Sequence, residues 1–303
     1  MYNVLSSMFN ALGRSKVPLF LLIFSSVLNV ILDIIMVGPL GMGVEGAGWA
    51  TLIAQGLSAV ISFMVLIRLL SSFDGKADKL WDRTLLSSIL RIALPSILQQ
   101  STVSIGMMLV QSVVNGFGSE VLAGFSAAMR IESLVVVPMS AMGNSMSTYT
   151  AQNLGAEKNG RVREGYRASY IIVLAAAAAI CLPLELWNRE IISIFLGSSG
   201  TEGAMATGTG YLKFMGWFFA LIGFKMATDG VLRGAGVMHV FTTANLVNLS
   251  IRVAVAFIAA PVYGVSAVWV AVPIGWGANW LISGIGYIRR RRLFQPPSDH
   301  QIT

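Results

Sequence analysis

Residues 18–37 read PLFLLIFSSVLNVILDIIMV, and Asp33 is the one ionisable side chain among them. An apolar run of about 20 residues is typical of a helix that crosses the ~30 Å hydrocarbon core of a bilayer. Similar stretches follow near 44–70, 85–116, 120–151, 165–196, 206–232, 240–260 and 264–288. The runs are continuous rather than alternating, which excludes a closed barrel. The sequence therefore predicts an all-α integral membrane protein with about eight transmembrane helices, preceded by a terminal half-helix.

The overall composition agrees with a lipid-embedded protein. Hydrophobic residues make up 55% of the chain, charged residues only 12%, and the mean hydropathy is +0.72. A soluble domain carries about 25% charged residues, so this chain has too few to cover a water-exposed surface. The net charge of +7 does not indicate nucleic acid, because the basic residues cluster in short loops and near the C-terminus. The single cysteine, Cys181, excludes an internal disulfide and a cysteine metal cluster.

The connections between the apolar stretches alternate in charge. Every second connection is basic, and the connections between them have no Lys or Arg. In chain order, the basic connections contain Arg14 and Lys16, then Arg68, Lys76, Lys79 and Arg83, then Lys158, Arg161 and Arg163, then Arg233, and finally Arg289 to Arg292. Basic loops stay in the cytoplasm, so this pattern predicts that both termini are cytoplasmic and that the chain lies in the cell membrane.

An internal repeat relates the two ends of the chain. Residues 10–13 and 233–236 correspond at an offset of 223, and Gly43-Val44 corresponds to Gly264-Val265 at an offset of 221. Stretch 1–70 thus resembles 224–291 in span order, loop charge and glycine position, as expected of two parallel repeats. The first copy lacks a counterpart of 85–223, so we expect an N-terminally shortened chain; the alternative is a genuine eight-span protein that begins with a half-helix.

Several motifs resemble those of the multidrug and toxic compound extrusion (MATE) family. They are Gln99-Gln100, Gln111, Val114-Asn115-Gly116-Phe117-Gly118, Arg130-Ile131-Glu132, Pro138, Gln152-Asn153-Leu154-Gly155-Ala156 and Arg233-Gly234-Ala235-Gly236. In the first copy, Pro18, Asn29, Asp33, Gly43-Val44 and Gly46-Ala47 match as well. Their order and spacing, over nearly the whole chain, carry the resemblance.

The resemblance implies a two-lobe helix bundle of twelve spans that exports organic compounds, driven by inward Na⁺ or H⁺. Residues 1–70 then correspond to the C-terminal part of the N-lobe, namely the end of helix 4 with helices 5 and 6. Residues 71–84 correspond to a cytoplasmic inter-lobe linker, 85–292 to a complete C-lobe (helices 7 to 12), and 293–303 to a cytoplasmic tail. The family's first helix, with its acidic residue, has no counterpart here.

The residue with the strongest functional signal is Glu132. It lies about 12 residues into a predicted span, roughly 18 Å deep at ~1.5 Å per residue, and an ionisable group at mid-membrane is a functional candidate by default. We predict that it exchanges a proton or Na⁺ against substrate. The alternative is a structural pair with Arg252 or Lys225.

A row of polar residues on the third span predicts a substrate cavity: Gln99, Gln100, Ser104, Gln111 and Asn115. Gln100, Ser104 and Gln111 have spacings that put them on one helix face. Hydrogen bonding between helices is the alternative role for such a face.

Other charged residues divide between two roles. Lys225 and Asp229 are four residues apart and are predicted to form a structural ion pair, to which Arg252 is also assigned. Asp33, with Asn29 one turn deeper, is predicted to join Glu132 in cation coupling, since the resemblance places both in the N-lobe. Helix capping or packing is the alternative for this pair.

The favoured function is a cation-coupled antiporter that exports small organic, mainly cationic, compounds, with Na⁺ or H⁺ as the coupling ion and no other cofactor or metal. The expected partners are substrates, the coupling cation and membrane lipids, with the chain as a monomer. The alternatives are a lipid-linked oligosaccharide flippase of the same superfamily, given Arg130, Lys225 and Arg252, and an inactive truncated fragment. An enzyme is disfavoured, because His239 and His300 lie outside the spans and no HExxH or GxSxG motif is present.

Overall fold

The computed structural model describes residues 1–72, 81–197 and 200–294. Its helices are α1 (Tyr2–Ala11), α2 (Lys16–Val37), α3 (Gly43–Leu70), α4 (Arg83–Asn115), α5 (Ser119–Gly155), α6 (Asn159–Leu186), α7 (Asn188–Leu196), α8 (Glu202–Gly216), α9 (Phe219–Gly234), α10 (Met238–Tyr263) and α11 (Val265–Arg289), followed by a 3₁₀ turn at Arg291–Phe294. The chain divides into two compact units, Met1–Asp82 and Arg83–Thr303. The boundary falls inside the segment 71–84 that the sequence assigns to a linker.

The first unit is a helical hairpin with a short leading helix. The buried face of α3 is built mainly from small residues four apart: Gly46, Ala50, Ala54, Ser58 and Ser62, followed by Leu66. Small side chains let two helix backbones approach closely, which is how helices associate in lipid without a hydrophobic driving force. The predicted terminal half-helix is α1, whose Leu5 and Phe9 pack against Leu66.

The second unit is organised around α5, which packs against α6, α8 and α9. At about 1.5 Å per residue, its 37 residues extend over roughly 55 Å, well beyond the ~30 Å of a hydrocarbon core. We infer that α5 is tilted or continues into water at its ends. Pro138 lies inside it, as predicted; α10 and α11 pack against each other, and α11 also packs on α9.

Glycines allow α5 to meet α8 and α9 backbone to backbone. A Cβ atom added at Gly124 would lie 2.1 Å from the Ala204 carbonyl oxygen, and one at Gly230 would lie 2.2 Å from the Gly143 carbonyl oxygen. At Gly234 the corresponding distance, to the Ser147 carbonyl oxygen, is 2.2 Å. We call Gly124, Gly143, Gly230 and Gly234 the glycine seam; any larger residue there would collide with main-chain atoms.

The sixth predicted span, 206–232, is not one continuous helix. It corresponds to α8 and α9, which are bent by 55° at Trp217 and Phe218. The residues on either side, Met215 and Phe219, are both fully buried. Packing of the two flanks against the core therefore holds the bend, without a proline to mark it in the sequence.

The fifth predicted span, 165–196, is also wrong in its last part. The long helix α6 ends at Leu186, three residues after Pro183, and the separate helix α7 follows from Asn188. Proline removes an amide from the helix ladder, and the Asn188 side chain donates 2.9 Å to the Glu185 carbonyl oxygen at the helix end. The short α7 buries Ile192 against α8, where Gly208 leaves room for it.

The predicted fold class is confirmed. Within the described residues, seven helices are long and apolar enough to cross a membrane, and the bent pair α8–α9 makes an eighth span. Pro95, Pro138, Pro183 and Pro273 lie inside helices, as expected.

Candidate binding cavities and a buried ion-pair network

Glu132 is buried in the second unit and bonded to a tyrosine. Its side chain is 5% exposed, and its Oε2 accepts a hydrogen bond from the Tyr211 hydroxyl of α8, whose residue is fully buried. Edge-to-face contacts with Phe125 (5.4 Å) and Trp269 (5.8 Å) hold the Tyr211 ring in place. The glutamate forms no ion pair with Arg252 or Lys225 in the part of the chain that the structure describes. Nothing in the sequence singled out Tyr211, because a lone tyrosine in an apolar span looks like any other core aromatic.

The Tyr211 ring forms part of the wall of a cavity of about 440 Å³, which we call the Tyr211 cavity. The other lining residues are Met107, Met108, Val110, Gln111, Ser112, Asn115, Phe125, Met129, Arg252 and Val272. Volumes of ~300–1,000 Å³ with mostly apolar walls and a few polar groups are typical of small-molecule sites. Methionines make such a wall adaptable. Gln111 and Asn115, both predicted to line a cavity, are in this wall, whereas Glu132 sits behind Tyr211.

Arg252 is part of this wall rather than of the ion pair to which the sequence assigned it. Among the described residues it forms no ion pair, and its Nε is buried without a hydrogen-bond partner. Its stem rests on α11 at Gly275, where an added Cβ would lie 3.1 Å from Arg252 Cγ and 2.3 Å from Asn248 Oδ1. Arg252 lies on α10 and lines the Tyr211 cavity, whereas Lys225 lies on α9 and pairs with Asp229.

Lys225 and Asp229 do form an ion pair, and it is the centre of a larger buried network. Lys225 Nζ lies 3.1 Å from Asp229 Oδ2, and it also donates 2.9 Å to Asn245 Oδ1 on α10. The Asn245 amide donates 3.1 Å to Asp229 Oδ2, and the Ser283 hydroxyl of α11 donates 2.7 Å to Asp229 Oδ1. We call Lys225, Asp229, Asn245 and Ser283 the Asp229 network. Buried charges are tolerated when paired and hydrogen-bonded in this way.

A second, more polar cavity of about 240 Å³ opens beside this network. Its lining includes Gln99, Gln100, Asn144, Asp229 and Arg233. Arg233 is held to α5, because its guanidinium donates 2.7 Å to Asn144 Oδ1 and 3.2 Å to Ser147 Oγ.

The polar residues predicted on the third span, which is α4, are therefore divided between two cavities. Gln99 and Gln100 line the smaller cavity, and Gln111 and Asn115 line the Tyr211 cavity. Ser104, which lies between them in sequence, donates 3.1 Å to the Gln100 carbonyl oxygen of its own helix. A helix of 33 residues passes more than one site along its length.

A cluster of aromatic and hydroxyl groups joins α6, α9 and α11. The Tyr166 and Tyr170 hydroxyls each lie within 3.0 Å of Thr228 Oγ1, and Trp280 Nε1 donates 2.7 Å to the Tyr170 hydroxyl. The cluster brings together residues distant in sequence, so single-residue patterns did not reveal it.

In the first unit, Asn29 and Asp33 are on the same helix but in different surroundings. Asn29 Nδ2 lies 3.4 Å from Thr51 Oγ1 and lines a pocket of about 210 Å³ together with Ser25, Ser26 and Gln55. Asp33 Oδ1 is buried without a hydrogen-bond partner among the described residues.

These features define a multi-pass helical membrane protein with ligand-sized cavities and buried charges inside one helix bundle. The family model described as MatE matches residues 95–258, which is more than half of the chain. The chain therefore belongs to the MatE family, and the resemblance found in the sequence is confirmed.

Individual relatives agree with this assignment. The chain is 29% identical over 82% of its length to the probable multidrug resistance protein YpnP of Bacillus subtilis, and 24% identical over 93% to the probable multidrug resistance protein YoeA of the same organism. It superimposes on a crystal structure of the Vibrio cholerae MATE transporter VcmN with a TM-score of 0.87 and 22% identity, covering 97% of this chain and 67% of that one. It spans 55% of YpnP and 63% of YoeA.

Proposed function

We propose that this chain works in a secondary transporter that exports small organic compounds in exchange for inward-moving Na⁺ or H⁺. The observation that carries the proposal is the pairing of a ligand-sized cavity with a buried acid directly behind its wall: Tyr211 lines the cavity and donates to Glu132. Membership of the MatE family, and relatives described as multidrug resistance proteins, support the same reaction. The proposed protein is a transporter and not an enzyme.

The proposed coupling runs through Tyr211. A cation or proton at Glu132 changes what the Tyr211 hydroxyl bonds to, and the ring of Tyr211 is part of the surface that a substrate touches. Coupling requires that the ion and the substrate favour different arrangements of the protein. Asn29 and Asp33 are proposed as a second cation-binding pair in the first unit. Asp33 supports this role, because its buried Oδ1 has no hydrogen-bond partner among the described residues.

The proposed arrangement in the cell follows the loop charges. The basic loops and both termini face the cytoplasm, the protein is a monomer in the cell membrane, and the units on either side of 71–84 act as parts of two lobes that alternate access.

The test uses the chain reconstituted in liposomes with an imposed pH or Na⁺ gradient and a panel of fluorescent organic dyes. We expect gradient-driven dye movement that Glu132→Gln abolishes at unchanged protein content. Glu120→Gln is the matched control, since Glu120 is an exposed acid in the first turn of the same helix. Equal dye movement by wild type and Glu132→Gln would refute coupling through Glu132, and none in either gradient would refute the proposed transport.

A second candidate, a flippase for lipid-linked anionic substrates, is favoured by one specific observation. Arg252 lines the Tyr211 cavity, and among the described residues it has no ion-pair partner. Scrambling of a fluorescent lipid pyrophosphate in the same liposomes, without any imposed gradient, would favour this candidate over the antiporter.

A further inference from the structure

We propose that the Tyr211 cavity binds an anionic group, a carboxylate or phosphate of an amphipathic organic compound, at the guanidinium of Arg252. The inference rests on the proposed function insofar as the cavity is taken to be a substrate site, and it specifies the charge of that substrate.

Arg252 determines the charge of the cavity wall. Of the residues that line it, Arg252 is the one with a formal charge; the others are methionines, aromatics, valines, amides and a serine. Glu132 is not among the residues that line the cavity, and it is bonded to one of them through the Tyr211 hydroxyl. A ligand in this cavity therefore meets a cation directly and an anion only through Tyr211.

Arg252 also forms no ion pair with any residue in the described part of the chain. Its Nε is buried and makes no hydrogen bond with any described residue, and the same is true of Asn248 Oδ1 one turn earlier. Glu132 acts on Arg252 electrostatically, but its carboxylate is bonded to Tyr211 and lies beyond ion-pair distance. A guanidinium whose Nε is buried without a hydrogen-bond acceptor carries a desolvation cost, and a bidentate carboxylate or phosphate is the ligand that its planar geometry fits.

The base of the Arg252 side chain packs closely against α11. The Arg252 stem lies against Gly275, and even one added carbon there would come within 3.1 Å of its Cγ. The apolar part of a ligand would then occupy the methionine and aromatic surface formed by Met107, Met129 and Phe125. An organic cation, by contrast, would meet a like charge at Arg252 and be repelled.

The experiment is a binding titration of the purified chain in phosphatidylcholine nanodiscs. Two dansyl probes are used that share one alkyl linker and differ only at its end, where one has a carboxylate and the other a primary ammonium. We expect the wild type to bind the carboxylate probe at least tenfold more tightly than the ammonium probe. Arg252→Gln should remove the preference, with a loss of about tenfold or more for the carboxylate, as for a hydrogen bond to a charged group.

The matched control is Arg130→Gln, which removes the same charge from an exposed position on α5 outside the cavity wall, and it should bind as the wild type does. Arg252→Lys keeps the charge without the bidentate geometry, so it should keep the preference at reduced affinity. If Arg252→Gln does not fold, the relative affinity of the wild type and of Arg252→Lys for the two probes still tests the inference. Adding phosphatidylglycerol distinguishes the source of the anion: weaker carboxylate binding in the wild type would assign the site to a lipid headgroup, and unchanged binding to a small organic acid.

Equal binding of the two probes, a preference for ammonium, or a carboxylate preference that survives Arg252→Gln would overturn the inference. These outcomes are independent of the transport assay. Dye export without Arg252-dependent anion binding would refute this inference alone, and Arg252-dependent binding without any gradient-driven movement would refute the proposed transport alone.

Discussion

Replacing Tyr211 by Phe removes one hydroxyl from the core of the second unit and almost nothing else. The ring keeps its contacts with Phe125 and Trp269, so the change removes the hydrogen bond to Glu132 together with a 3.5 Å contact between the hydroxyl and Met129 Sδ, which is a weak acceptor. A hydrogen bond to a charged group contributes ~1.5–3 kcal/mol, and a bond between neutral groups about 1 kcal/mol. For a domain of ~150–250 residues, each kcal/mol corresponds to roughly 2–4 °C in Tm, so an ionised Glu132 predicts a loss of about 3–12 °C.

Cys181, the single cysteine, provides the assay. It is partly buried, so a thiol-reactive fluorophore will report unfolding of the detergent-solubilised chain during a temperature ramp. Tyr263→Phe is the matched control, since Tyr263 is 73% exposed, and its Tm should not change. Adding Glu132→Gln to Tyr211→Phe should restore part of the lost Tm, because a stranded neutral amide costs less than a stranded carboxylate.

Two results would contradict this expectation. If Tyr211→Phe has the same Tm as the wild type, the hydrogen bond between the Tyr211 hydroxyl and Glu132 does not stabilise the protein. If the effects of Tyr211→Phe and Glu132→Gln add, the two residues are energetically independent, and coupling through Tyr211 loses its basis.

Three further outcomes test the rest of the structure. With the native cysteine replaced, Leu40→Cys should react with an impermeant maleimide on intact cells and Lys158→Cys should not; the reverse labelling would contradict the proposed orientation. Asp229→Asn should lower the amount of folded protein sharply, because it strands a buried ammonium 3.1 Å away, an effect of ~3–5 kcal/mol that unchanged yield would disprove. Gly230→Ala should lower Tm by several degrees, since overpacking costs ~1–3 kcal/mol or more. Gly284→Ala should leave Tm unchanged, because an added Cβ there has open space around it. Equal Tm values for the two variants would contradict the close backbone packing at the glycine seam.

The sequence was informative where the chemistry is local. The length and apolarity of the spans, the prolines within them and the four-residue spacing of Lys225 and Asp229 each depend on neighbouring residues, and the structure contains these features. The burial of Glu132 follows from the same logic, since an acid in an apolar span is placed by the bilayer rather than by a distant partner.

What the sequence missed depends on contacts between distant segments. Tyr211 became important only because α8 brings it to Glu132, 79 positions earlier in the chain. The bend at Trp217 arises because Met215 and Phe219, on its two sides, are both buried, and no proline in the sequence predicts it. Arg252 was assigned by charge alone, and its direction depends on how closely α10 approaches Gly275.

The glycine seam also determines which parts of the second unit are able to move. Where two main chains touch without side chains between them, sliding by even a fraction of a helical turn drives carbonyl oxygens into Cα atoms, so α5, α8 and α9 must travel together as one body. Any rearrangement inside the second unit during alternating access then has to come from its other helices. One of these is α4, which packs mainly on α10 and contributes residues to both cavities. Spin-label distances across the seam would stay constant through a transport cycle, while those from α4 to α5 would change.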